Sequence, residues 1–190
     1  MEKQYETGKW LKILMYSAGV SVVNSAVNYI PIIPGDVTTW ISRGVVIAVI
    51  LCMFRLAPAN ERYKTAGIFR LMMQVCFLVN QWLFPMGLLV GMASVLSLLA
   101  VYQEYKAHAE LVEDQDERFA RKWRRMFFWG IGASAVLTIG TAVLAAVVVM
   151  NNLSADQVSE WTVTFLSIPQ FVFEVVYVLY LKKTAAMFEE

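Results

Sequence analysis

The stretch AGIFRLMMQVCFLVNQWLFPMGLLVGMASVLSLLAVY, residues 66–102, decides how the rest of the chain is read. A membrane crossing takes roughly 20 apolar residues, because a helix rises about 1.5 Å per residue and the hydrocarbon core is about 30 Å thick. At 37 residues this stretch is too long for one helix even with tilt. Pro85 followed by Gly87 supplies a corner near its middle, so the spacing predicts two helices, residues 66–84 and 85–102, joined as a hairpin.

Working outward, four more stretches have the same length and character: residues 11–30, 37–56, 126–150 and 161–181. The composition agrees, with 58% hydrophobic residues and 16% charged, against about 45 to 50% and about 25% in an average soluble domain. The expected fold is an all-α, polytopic bundle of six transmembrane helices forming one integral-membrane domain over residues 1–190.

Charge placement orients it. Lys and Arg gather at Lys3, Lys9 and Lys12, at Arg62 and Lys64, from Lys106 to Arg125, and at Lys182 and Lys183, while the alternate connections carry none. Basic loops stay on the cytoplasmic side, which predicts both termini in the cytoplasm, in the cell membrane. Trp10, Trp40, Trp82, Trp123, Trp129 and Trp161 fall near helix ends, where indoles favour the headgroup layer. The one sizeable hydrophilic part, residues 103–125, reads as a cytosolic helical hairpin with its tip at Glu113 to Asp116. Its Arg118, Arg121, Lys122, Arg124 and Arg125 suit lipid headgroups, and its Tyr105, Val112 and Phe119 offer a face for a protein partner.

Several chemistries are poorly served. The net charge of +1 gives no basic field for nucleic acid. Cys52 and Cys76 sit in apolar runs and read as reduced thiols, and one histidine, His108, leaves no His pair for zinc. Glu104 and His108, one turn apart, read as a surface pair. Intramembrane proteolysis needs a histidine or two aspartates at membrane depth, and no phosphate-binding glycine loop occurs. No metal or cofactor is expected, and an enzyme is the less favoured class.

Polar residues at membrane depth are the candidates for function, because they are costly there. The sixth helix places Ser167, Gln170, Glu174 and Tyr177 on one face, and the third places Arg70, Gln74 and Gln81 on another. Arg70 and Glu174 lie at similar depth, about 6 Å and about 10 Å by the helical rise, and are expected to pair. Ser17, Ser21, Asn24 and Asn28 form a polar stripe along the first helix. Gly130 on the fifth helix, with Gly87, Gly91 and Ser94 on the fourth, reads as a close-packing surface. Two functions fit these residues. One is binding or translocation of a small polar solute in an intramembrane cavity lined by Arg70, Gln74, Gln81, Gln170, Glu174 and Tyr177. The alternative is a regulatory or assembly subunit whose hairpin recruits a membrane or cytosolic protein.

Overall fold

The computed structural model describes residues 2–27, 35–82, 87–151 and 155–188. These form six helices: α1 (Glu2–Val27), α2 (Gly35–Leu56), α3 (Glu61–Trp82), α4 (Gly87–Val112), α5 (Glu117–Asn151) and α6 (Ala155–Ala186). Each carries one of the apolar stretches, and most overrun it at the end rich in Lys and Arg. Residues 66–102 do divide into two helices, although the corner at 83–86 lies outside the described residues. Among the described residues, α1, α2 and α4 are long and apolar enough to cross a membrane.

Two connections are built alike. The Leu56 carbonyl accepts from the amides of Ala59 and Asn60, and the Val112 carbonyl accepts from those of Gln115 and Asp116. Each turn ends on a residue that caps the next helix. The Asn60 side chain accepts from the Arg62 amide at 2.9 Å, and Asp116 from the Phe119 amide at 2.8 Å. Glu61 and Glu117 then begin α3 and α5, where a negative charge suits the helix dipole.

The helices close a ring in which each packs on its chain neighbours and α6 returns to α1. The ends of the chain meet: a Cβ on Gly8 would stand 2.9 Å from the Phe188 carbonyl oxygen, so only glycine fits there. Ring closure does not spread the core evenly. Leu11, Met53, Tyr63, Val112, Trp123 and Leu181 are fully enclosed, and all lie where the α2–α3 and α4–α5 turns and the two chain ends come together. In the opposite half the described side chains are largely exposed, among them Trp40, Trp82, Leu88 and Trp129.

Three expectations are corrected here. The segment over 103–125 does turn at Glu113 to Asp116, but Tyr105, Val112 and Phe119 face into the core. Apolar side chains at that spacing bury themselves against α5 and α6. Trp123 is likewise enclosed, because its indole N–H finds the Thr184 hydroxyl at 3.1 Å instead of an interface. Gly87 and Gly91 have nothing within 4 Å of where a Cβ would stand, so they do not pack closely, whereas Gly130 seats the Phe173 ring.

Candidate functional site: a buried polar hub

At the packed end the helical period brings polar residues from three helices inward. On α3, Tyr63, Gly67 and Arg70 follow at steps of four and three, and on α6 Glu174, Tyr177, Leu181 and Thr184 step by three, four and three. Between them, α4 presents Ala100, Glu104 and His108 on one face. The alanines are essential: Ala100, Ala107 and Ala109 are fully buried and leave room for larger neighbours.

Glu104 is the centre. It has 0% exposure, and each of its oxygens is held: Arg70 Nη2 donates to Oε2, and the Tyr177 hydroxyl donates to Oε1. His108, also at 0%, stands with Nε2 3.9 Å from Oε1, too far for a hydrogen bond. Its Nδ1 is engaged with the Tyr63 hydroxyl at 2.7 Å. Trp123 stacks on the imidazole with ring centres 4.4 Å apart and planes 23° apart, and Tyr105 lies 5.6 Å from both Trp123 and Tyr177. The charged pair is therefore walled by aromatic rings. Arg70 is the exception, its side chain keeping 24% exposure.

A second set of bonds fastens the same two helices outside the hub. Arg62 Nε donates to both Glu110 oxygens, at 2.8 and 2.9 Å, and its Nη1 donates to the Gln103 side chain at 3.1 Å. Asn60 adds a bond to Glu110 at 3.0 Å. Such a forked contact is stronger and more specific than a point charge.

The expected partner of Arg70 is corrected. Arg70 pairs with Glu104 on adjacent α4, and what α6 brings to that carboxylate is the Tyr177 hydroxyl, not Glu174. Glu174 is half-buried one turn before Tyr177. The expected surface pair, Glu104 and His108, is in fact the most enclosed polar pair among the described residues. Gln74 is half-buried and Gln81 exposed, and neither joins the hub's hydrogen bonds; the Gln170 side chain lies outside those described.

The α1 stripe serves packing. Asn24 donates to the Thr38 carbonyl at 3.1 Å and to Ser42 Oγ at 2.8 Å, tying α1 to α2. Ser17 bonds the Ile13 carbonyl of its own helix, Ser21 is half-buried, and Asn28 lies outside the described residues. Of the basic cluster, Arg121 pairs with Glu117 and Arg124 with Glu113, while Arg118, Lys122 and Arg125 are exposed. Cys52 and Cys76 are free thiols, and no group of metal-ligating side chains occurs among the described residues.

The hub at Glu104 is masked in the sequence, because charged residues begin there, just past the span expected to end at Tyr102. One signal was present: Ala93, Ala100, Glu104, His108 and Val112 keep the same helical phase. Comparison with protein-family models, curated proteins and solved structures finds no match to this chain.

Proposed function

We propose that the chain is a multi-pass integral membrane protein that binds or translocates a small polar solute at the Arg70 edge of the hub. In this reading all six helices cross the cell membrane with both termini in the cytoplasm. The broad apolar exposure of the far half supports lipid as its surroundings, since soluble monomers rarely show contiguous apolar patches beyond a few hundred Å². Exposed Arg118, Lys122 and Arg125 then lie at the depth of anionic headgroups, each contributing about 1 kcal/mol.

One observation carries the reading: a carboxylate with 0% exposure is neutralised by an arginine that is still 24% exposed. A buried ion pair is usually no better for stability than well-packed apolar side chains. Its retention, with one partner at an accessible edge, points to a group that can change partners. The assembly-subunit alternative is less well supported, because Tyr105, Val112 and Phe119 are buried and Asp116 and Glu113 are occupied by Lys183 and Arg124.

The test is thermal unfolding of the full chain in detergent with about 10 mM acetate, phosphate or methylammonium. A bound solute stabilises by about 2.7 kcal/mol at a hundredfold excess over its Kd. Stabilisation by at least one probe, lost in Arg70→Ala, is expected. Stabilisation that survives Arg70→Ala removes Arg70 from solute contact.

A further inference from the structure

Glu104 has a second cation in waiting. Its Oε2 faces Arg70, while its Oε1, besides Tyr177, faces the Nε2 of His108 across 3.9 Å. That Nε2 is buried and makes no hydrogen bond among the described residues. The rest of the ring is fixed by Tyr63 on Nδ1 and Trp123 on its face. A wholly enclosed carboxylate that loses its positive partner must gain another or take up a proton itself, since an isolated buried charge costs far more than a paired one, and the imidazole is the stronger base of the two. Arg70 has an exposed edge and can leave; His108 has none and cannot.

We propose that His108 is the proton-bearing alternative to Arg70 as counter-ion of Glu104, so that drawing Arg70 away loads one proton onto the imidazole. The inference rests on the solute-binding reading and deepens it: the solute that engages Arg70 is an anion, bound together with a proton. The balance is simple. With Arg70 on Glu104 the hub is neutral and so is the imidazole. When Arg70 turns to an anion, one proton from solvent joins the ring, Nε2–H faces Glu104, and Nδ1–H faces the Tyr63 oxygen.

The groups around the ring are compatible with this. Tyr63 of α3 holds Nδ1, the uncharged Trp123 of α5 covers the ring face and Glu104 of α4 stands 3.9 Å from Nε2, while Arg70 of α3 and Tyr177 of α6 are bonded to Glu104 and Tyr105 of α4 packs on Trp123 and Tyr177. Among these only Glu104 carries negative charge at neutral pH and only Arg70 carries positive charge, so removing one changes the sign of the field at the imidazole.

The experiment exploits the single histidine of the chain. Full-length protein labelled with ¹⁵N-histidine, in detergent micelles, gives one imidazole to follow by NMR. At pH 7 the wild type is expected to show a neutral ring. Arg70→Gln is expected to show imidazolium, its half-protonation point raised by at least one pH unit, a tenfold gain in proton affinity, and the double variant with Glu104→Gln is expected to return it to neutral. A folded Arg70→Gln protein whose ring titrates as in the wild type overturns the proposal. If Arg70→Gln does not fold, Glu104→Gln alone decides: its ring should need a pH at least one unit lower than wild type to protonate, and an unchanged titration overturns the proposal. The NMR readout needs no solute, so failure of the solute scan with the expected titration removes the binding reading alone. Stabilisation in that scan by methylammonium instead of acetate or phosphate overturns the anion assignment.

Discussion

The two halves of the six-helix ring meet different demands. At the end holding the α2–α3 and α4–α5 turns, aromatic rings, alanines and paired charges fill the space between helices: Trp123 alone touches Tyr105, His108, Phe119, Tyr177 and Tyr180. In the other half the helices turn apolar side chains outward, and an apolar groove of about 810 Å³ runs between α3 and α4 beside Cys76 and Gly91. The contrast separates two sources of stability. The packed end holds itself together through its own contacts, whereas the open half needs an apolar surrounding to cover it. Asn24 shows the same division on a small scale, since in the open half a hydrogen bond does what ring packing does at the other end.

Truncation should expose this contrast most strongly. Trp123→Ala is expected to lower the stability of the detergent-solubilised protein by about 3 to 5 kcal/mol, the range for emptying a buried aromatic site, whereas Leu88→Ala, at a side chain 73% exposed, should stay within about 0.5 kcal/mol. Thermal unfolding of the two variants side by side checks both; equal losses would abolish the distinction between the halves.

Next in size is the charge at the centre of the packed end. Glu104→Ala leaves Arg70 largely enclosed without its carboxylate and is expected to cost about 3 kcal/mol. Glu104→Met combined with Arg70→Met should recover most of that loss, because apolar side chains of similar volume often replace buried pairs without penalty. If the double variant is as unstable as the single one, the pair is holding the helices in place by more than mutual neutralisation.

The same contrast explains what could be read from the sequence. Helix number and approximate position follow from runs of apolar residues whose length is set by the helical rise, and those runs needed no partner to be recognised. The Pro85 and Gly87 corner was legible because backbone chemistry is local. The hub was not, because the burial of Glu104 depends on Arg70, Tyr177 and Trp123, which are 34, 73 and 19 positions away along the chain. Charge at residues 103–125 looked like solvent exposure. Over residues 103–110 it marks instead two faces of α4, with Gln103 and Glu110 outward against Arg62 and with Glu104 and His108 inward. Helical spacing points to Arg70 and Tyr177, whereas depth alone points to Glu174, because depth does not show which side chains converge on Glu104.

In the open half, Asn24→Ala removes both bonds to α2, the one to the Thr38 carbonyl and the one to Ser42 Oγ. A loss of about 1 to 2 kcal/mol is expected from one buried and one part-buried hydrogen bond. It should fall on opening of the α1–α2 pair: hydrogen exchange should quicken at the far ends of α1 and α2 and stay unchanged around Trp123. Uniform quickening would mean that the two halves unfold as one unit.

The smallest effect belongs to the rim of the packed end, where Asp116 accepts from Lys183 at 2.9 Å and caps α5 through the Phe119 amide. Lys183, and then that amide, hold its carboxyl below the ordinary carboxylate value. A carboxyl with a lowered folded-state pKa contributes stability that is complete above its unfolded value, about 3.9, and is lost as pH falls through the folded one. The gap in unfolding midpoint between wild type and Asp116→Ala should therefore be constant from pH 8 down to about pH 5 and shrink at more acidic pH. A gap that instead grows on acidification would assign the midpoint difference to something other than the ionised Asp116 bridging α5 and α6. Because the site is open to water, added salt should weaken the Lys183 contribution while sparing the cap. A residual difference in high salt therefore measures the Phe119 bond, and its disappearance would make Lys183 the whole of what Asp116 supplies.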